Sequence, residues 1–182
     1  MKKLCRIYEW HIRGWLTSML WWIEKNIWRI PDSSIPDILS VKDIPEYIKQ
    51  IKWRMEWWLL GAIKSPQAVW KSKRAICSGY AMLAYALLEE LQNRTGVLIT
   101  LYGWPLQRSH TICVYNMDHG CDSPLGVVSD GSVLVYEGNT VSYASIVRDI
   151  MNLIGMQRCY LAVEADIIRG KYGVIREINL SE

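Results

Sequence analysis

The chain has 182 residues, of which 51% are hydrophobic and 21% charged, and a formal net charge of +3. This length suits one domain with a substantial core, and the composition is that of a globular protein rather than a disordered one. Because the net charge is small and the basic residues are scattered, we expect no nucleic-acid partner. Five cysteines without paired spacing indicate reduced thiols in a cytoplasmic compartment rather than a disulfide framework. We expect neither a secretory signal nor the ~20 apolar residues of a membrane span.

The first predicted element is an amphipathic helix over residues 4–30. Apolar side chains recur there at the spacing that lines one face of a helix. They are Leu4, Tyr8, Ile12, Trp15, Leu16, Met19, Leu20, Ile23 and Ile27. A turn-forming segment with two prolines, residues 31–37, ends the helix. We expect residues 1–30 to form an N-terminal element attached to one domain over residues 37–182.

This helix carries more tryptophan than one face can bury. The five are Trp10, Trp15, Trp21, Trp22 and Trp28. Packing across the domain, or against a second copy in an oligomer, is the favoured explanation. Contact with a membrane surface is the less favoured alternative, because lysine and arginine are few and Glu9 and Glu24 intervene.

The rest of the pattern predicts an α+β fold, in which helices are followed by a small antiparallel sheet. A second helix is expected over residues 45–63, and Ser65 or Ser72 is expected to cap a shorter helical piece after it. An apolar helix over residues 78–93 should be central and buried. The other predicted elements are strands over residues 97–102, 110–116, 126–130, 133–137, 159–164 and 172–178, and a helix over residues 143–154.

The most informative residue is a cysteine at the start of the apolar helix, Cys77. A helix N-terminus has unpaired N–H groups and a partial positive charge, and both favour a thiolate over a thiol. Further along the chain, His110 begins a short apolar strand and Asp130 ends the next one. Cysteine, histidine and aspartate are the parts of an activated thiol nucleophile.

This order and the local sequence resemble the transglutaminase-like superfamily of papain-type folds. The motif of that family is a cysteine followed by x-Gly-Tyr-Ala on a helix, a strand that begins with histidine, and an aspartate one hairpin later. The chain has Cys77-Ser78-Gly79-Tyr80-Ala81, then His110 and Asp130, within residues 65–136. The resemblance implies a papain-like, transglutaminase-like core with a catalytic triad of Cys77, His110 and Asp130. It also implies a protein or peptide substrate.

Strand pairing offers a route by which two of these residues meet. If the two strands form an antiparallel hairpin with its turn centred on Gly120, His110 and Asp130 lie opposite each other. Opposed residues have Cβ atoms about 4.5–5.5 Å apart, so the carboxylate reaches one imidazole nitrogen and leaves the other for Cys77. A register shift of one residue would put the two side chains on opposite faces.

In the mechanism that this implies, Cys77 and His110 form a thiolate–imidazolium pair, and Asp130 orients the ring and stabilises its charge. The sulfur attacks a carbonyl carbon. The resulting oxyanion binds the backbone N–H of Cys77 and a second donor, for which Gln67 and Trp70 are the candidates.

The fate of the thioester decides the activity. Resolution by water makes the protein a peptidase or deamidase, and resolution by a lysine amine makes it a protein-glutamine acyltransferase. We favour hydrolysis, because the chain is short and has no acidic cluster like the calcium sites of large cross-linking transglutaminases.

Two other interpretations stay open. Free cysteine often packs as a core residue, so Cys77 could belong to a non-catalytic interaction or assembly module on the same fold. His119 and Cys121, with Cys113 nearby, lack the paired spacing of a structural zinc site, and we expect neither a metal nor another cofactor. Thiol reactivity separates enzyme from module, since the enzyme needs a Cys77 pKa well below the ~8.5 of a free thiol.

Overall fold

The computed structural model describes residues 1–31, 35–55, 62–91, 96–104, 109–117, 123–137, 141–168 and 171–180. The N-terminal half contains α1 (Lys2–Ile7), a π-helical turn (Tyr8–Arg13), α2 (Gly14–Asn26), a 3-10 turn (Val41–Asp43), α3 (Ile44–Lys49), β1 (Lys52–Trp53), α4 (Pro66–Ser72), β2 (Arg74–Ala75) and α5 (Cys77–Glu90). The C-terminal half contains β3 (Gly96–Trp104), β4 (His110–Asn116), β5 (Leu125–Ser129), β6 (Ser132–Tyr136), α6 (Tyr143–Leu153), β7 (Arg158–Ile168) and β8 (Lys171–Glu177). Within the described ranges, no helix combines the length and the apolar character needed to cross a membrane.

Six strands form one antiparallel sheet in the order β6-β5-β4-β3-β7-β8. Side chains alternate along these strands, so the sheet contributes to a core on each face. On one face, Leu87 of α5 belongs to the same buried cluster as Leu98 and Cys113. On the other face, Ile150 of α6 clusters with Ile112. The α+β architecture predicted from the sequence is confirmed.

Most of the predicted elements lie within a few residues of their expected bounds. The strand β4 coincides with the prediction for residues 110–116. The predicted cap at Ser65 is also present, since its hydroxyl accepts a hydrogen bond from the backbone N–H of Ala68 at 3.2 Å. A helix cap depends on residues that are close together in the chain, so it can be predicted from the sequence alone.

The second helix predicted over residues 45–63 is wrong, because α3 ends at Lys49. The backbone N–H groups of Lys52 and Arg54 donate instead to the carbonyl groups of Lys73 and Ala75, at 2.9 and 2.8 Å. This short parallel pairing of β1 with β2 fixes the segment beside the start of α5. Residues 56–61, the next part of the predicted helix, lie outside the described residues.

The N-terminal helix packs with its polar side inward. Glu9, Arg13, Thr17 and Glu24 are buried, whereas Leu20 is the one buried member of the predicted apolar stripe, all nine of whose residues are described. The apolar spacing was therefore a correct signal for a helix. It did not identify the side that faces the domain.

Polar contacts hold this helix to the rest of the chain. The hydroxyl of Thr17 accepts a hydrogen bond from the backbone N–H of Ile63 at 3.1 Å, and the Glu24 carboxylate accepts one from the backbone N–H of Ser65 at 2.9 Å. Arg6 forms an ion pair with Glu177 in the edge strand β8. Because these contacts lie on one side of the helix, its opposite face points away from the domain.

Candidate active site

Cys77 is the first residue of α5, and its side chain is half-buried. Ile76, the residue before it, has an extended backbone, so the chain enters the helix at the cysteine. The Sγ atom lies 4.0 Å from the carbonyl oxygen of Ser109, the residue that precedes β4. The thiol therefore lies at a helix start, where the sequence predicted it, and faces the beginning of the histidine strand.

The Gly-Tyr pair that follows has a structural task. A Cβ atom at Gly79 would lie 2.8 Å from the Cβ atom of Ala75, so glycine allows β2 to approach α5 this closely. Tyr80 is buried, and its hydroxyl donates a hydrogen bond to the carbonyl of Ile51 at 2.8 Å. The Tyr80 ring also packs against Gly131, in the turn between β5 and β6. This pair thus ties the start of the cysteine helix to its surroundings.

His110 begins β4 and is buried, with 5% of its surface exposed. Its Nε2 atom lies 2.9 Å from the hydroxyl oxygen of Ser129, and its Nδ1 atom lies 3.8 Å from Oδ2 of Asp130. One S, N or O atom from each of Cys77, His110 and Asp130 lies within 4.8 Å of the other two. The structure thus brings the three residues together and adds Ser129, which sequence reasoning did not assign a role.

The hairpin register differs by one residue from the predicted one. Cys113 lies opposite Val128, a register that extrapolates to Gly131, and not Asp130, opposite His110. Asp130 belongs to the tight turn between β5 and β6, where it and Gly131 have φ angles of 46° and 81°. Positive φ at both central positions is the type I′ hairpin turn, in which Asp-Gly is a favoured pair. The turn, rather than the strand register, brings the carboxylate to the imidazole.

Burial dominates the ionisation of the site. Desolvation raises the pKa of the Cys77 thiol and the Asp130 carboxylate raises it further, while the Thr111 backbone N–H and the Arg13 guanidinium act in the opposite direction. Desolvation lowers the pKa of His110, against the opposing influence of Asp130. Both shifts favour a neutral thiol and a neutral imidazole over the thiolate–imidazolium pair expected from the sequence. A neutral imidazole is a base that can accept the thiol proton.

A buried ion pair joins the N-terminal helix to the histidine strand. Arg13 Nη1 lies 3.2 Å from Oε2 of Glu9 and donates a hydrogen bond to the Tyr102 hydroxyl at 3.0 Å. Arg13 Nη2 donates to the hydroxyl of Thr111, the residue after His110, at 3.3 Å. Sequence reasoning did not predict this cluster. The spacing of four residues between Glu9 and Arg13 was the available signal.

The three residues open into a cavity of about 390 Å³, within the ~300–1,000 Å³ typical of ligand clefts. It is lined by Trp53, Met55, Ile76, Cys77, Ser109, His110, Asp130 and Ile154. Trp53 and Met55 are exposed. The pairing of β1 with β2, which sequence reasoning did not predict, places this segment beside the site. An apolar wall beside a few polar groups is the usual composition of a binding cleft.

The two predicted oxyanion donors, Gln67 and Trp70, lie on α4. Neither lines the cavity at Cys77. The Trp70 ring packs instead against the ring of Tyr47, with 5.5 Å between the centroids. Their participation in the reaction stays a prediction.

The same three site residues are spaced so that they could hold a metal ion. A zinc ion would need all three atoms at about 2.0–2.3 Å from one centre. The residues also match the nucleophile, base and orienting group of thiol chemistry, which needs no ion. Of the other residues considered as ligands, Cys113 is fully buried in the core, while His119 and Cys121, like the expected turn centre Gly120, lie outside the described residues.

Comparisons with known proteins give a distant structural similarity. No family model and no curated protein sequence matches the chain. Among solved structures, it is similar to Legionella pneumophila LapG, with 14% sequence identity and a TM-score of 0.40. The match covers 52% of this chain and 55% of that one, so it spans about half of each. At this level of similarity, activity and substrate have to be inferred from the geometry of the site.

Proposed function

We propose that the protein is a thiol-dependent amide hydrolase, a cysteine peptidase of the transglutaminase-like type that acts on a protein or peptide. The observation that carries this proposal is the meeting of Cys77, His110 and Asp130 at a cleft with an apolar wall. A thiol, an imidazole and a carboxylate within 4.8 Å of one another are the groups that acyl transfer through a thioester requires. The cleft wall formed by Trp53 and Met55 would bind an apolar side chain of the substrate.

The proton transfers follow from the neutral pair. His110 takes the thiol proton as the sulfur of Cys77 attacks the substrate carbonyl carbon, and the C–N bond then breaks as the imidazolium gives that proton to the leaving amine. Water, deprotonated by the same imidazole, hydrolyses the thioester and restores the thiol. Because Nε2 of the ring is engaged by Ser129, Nδ1 is the atom assigned to exchange protons with the sulfur. The negative charge of Asp130 stabilises the imidazolium.

The thioester is tested with a small activated ester. Incubation with p-nitrophenyl acetate should acetylate Cys77 in a stoichiometric burst, read by peptide mass spectrometry. Cys77→Ser should abolish the burst. His110→Ala should lower the rate of acetylation by at least tenfold, since loss of a general base typically lowers a rate by about 10²–10⁴. Cys5 and Cys159, which are also half-buried, are internal controls.

The raised pKa of the Cys77 thiol favours one alternative, a non-catalytic interaction module that uses the same cleft. Acetylation of Cys77 that is no faster than that of Cys5 and indifferent to His110 would support the module and contradict the enzyme. If the burst occurs, a lysine amine added as acceptor separates hydrolysis from acyltransfer. A product dominated by the transferred acyl group would identify an acyltransferase rather than a hydrolase.

A further inference from the structure

The N-terminal helix presents an apolar face to the outside. The face consists of Leu4, Ile7, Ile12, Trp15, Met19 and Trp22, which we call the outer face. Leu4, Trp15 and Trp22 are 68%, 64% and 60% exposed. Successive residues of the outer face are three or four positions apart, the spacing of one side of an α-helix, except that Ile7 and Ile12 are five positions apart. That interval crosses the π-helical turn, whose wider i→i+5 bonding keeps the two residues on the same side.

The exposed charges of the helix itself have one sign. Glu9 and Glu24, the acidic residues of the first 31, are 0% and 1% exposed, and both point into the domain. Lys2, Lys3 and Lys25 are exposed, and Lys2 forms an ion pair with Glu177 of β8. The two glutamates that argued against a membrane surface in the sequence therefore contribute nothing to the outward surface of the helix.

We infer that the outer face binds the surface of an anionic lipid bilayer, with the helix lying parallel to the membrane plane. Tryptophan favours the boundary between headgroups and acyl chains, since its ring is apolar and its indole N–H remains near water. Lys3 and Lys25, near the two ends of the helix, supply attraction to anionic headgroups. Six exposed apolar side chains along one side of a helix form the kind of patch that marks an interaction site.

Charge also distinguishes a bilayer from a second copy of the chain. A two-fold contact would place the outer face against itself. The exposed lysines of one helix would then approach those of the other, while the acidic side chains of the helix, Glu9 and Glu24, are buried. An anionic bilayer supplies the opposite charge.

Vesicle flotation of the full chain tests the inference. The protein should float with vesicles made of equal parts phosphatidylcholine and phosphatidylglycerol and stay at the bottom with phosphatidylcholine alone. Trp15→Ser/Trp22→Ser should lose the bound fraction, and Lys3→Glu/Lys25→Glu should weaken binding by roughly fivefold or more for each residue changed. Trp104→Ser, which removes a tryptophan exposed at the end of β3, should bind like the parent. Cys77→Ser should also bind, which separates this surface from the catalytic site.

Three outcomes would overturn the inference. One is equal flotation with neutral and anionic vesicles. Another is unchanged flotation of the Lys3→Glu/Lys25→Glu variant, which stays informative if the double tryptophan variant does not fold. The third is absence of flotation together with a dimer in sedimentation velocity that Trp15→Ser/Trp22→Ser makes monomeric. That result would assign the outer face to contact between copies.

Discussion

The Nε2 atom of His110 lies 2.9 Å from the hydroxyl oxygen of Ser129. The carboxylate of Asp130 is 3.8 Å from the other ring nitrogen, beyond hydrogen-bond distance. The hydroxyl therefore holds the orientation of the ring, while the carboxylate acts through its charge. Ser129 thus orients the ring and Asp130 supplies the charge, whereas the sequence analysis assigned both functions to Asp130.

Ser129→Ala should lower the rate of Cys77 acetylation by about tenfold, because the ring loses the bond that orients it. It should also lower the free energy of unfolding by about 1–3 kcal/mol, since the buried Nε2 atom loses its partner. Acetylation kinetics and urea denaturation measure the two effects. Ser132→Ala, which changes the exposed strand partner of Ser129, is the matched control. If the two variants behave alike, Ser129 has no positioning role.

The acetylation rate should depend on pH with an acid limb below pH 6.5. His110 must be neutral to accept the thiol proton, and burial holds its pKa below the ordinary value of 6.5. Asp130→Asn removes the carboxylate that raises this pKa, so the limb should move to lower pH. Asp149→Asn, an exposed carboxylate on α6, should leave the limb in place. A limb above pH 6.5, or one that Asp130→Asn does not move, contradicts the assignment of His110 as a base coupled to Asp130.

The buried ion pair of Arg13 and Glu9 should matter for stability. Arg13→Met should lower the free energy of unfolding by about 3–5 kcal/mol, because it leaves a carboxylate buried without its guanidinium. Replacing both residues by methionine should cost less than the sum of the single changes. Urea denaturation measures each variant.

An exposed pair provides the control for that experiment. Lys49 and Glu46 form an ion pair whose side chains are both exposed, and Lys49→Met should cost less than about 1 kcal/mol. Equal effects of Lys49→Met and Arg13→Met would show that burial of the Arg13 pair has no energetic consequence.

Gly79→Ala should lower the free energy of unfolding by about 1–3 kcal/mol. The new methyl group would lie 2.8 Å from the Cβ atom of Ala75, so β2 and α5 have to separate. Because Cys77 begins α5, the variant should also slow Cys77 acetylation. Gly173→Ala is the control, since a Cβ atom there has no neighbour within 4 Å. Thermal unfolding of the two variants decides the comparison, and a Gly79→Ala variant as stable as Gly173→Ala would contradict the packing argument.

The sequence by itself determined the elements that depend on neighbouring residues. The apolar run after Cys77 specifies a buried helix, the Ser65-Pro66 pair specifies the start of α4, and short apolar runs specify the strands of the sheet. Propensity, capping and periodicity act within a few residues, so they can be read from the chain. The same local signals put the cysteine at a helix start and the histidine at a strand start.

Tertiary structure decided what depends on residues far apart in the chain. The one-residue difference in hairpin register and the Asp130-Gly131 turn determine that Ser129 contacts the imidazole. Contacts of Glu9 and Arg13 with the sheet, and of Glu24 with Ser65, turn the polar side of the first helix inward. Periodicity shows which residues share a helix face. Whether a polar face is buried depends on whether the rest of the chain supplies hydrogen-bond and ion-pair partners for its side chains. Those partners are more than 40 positions away in the chain for Glu24 and more than 80 for Arg13.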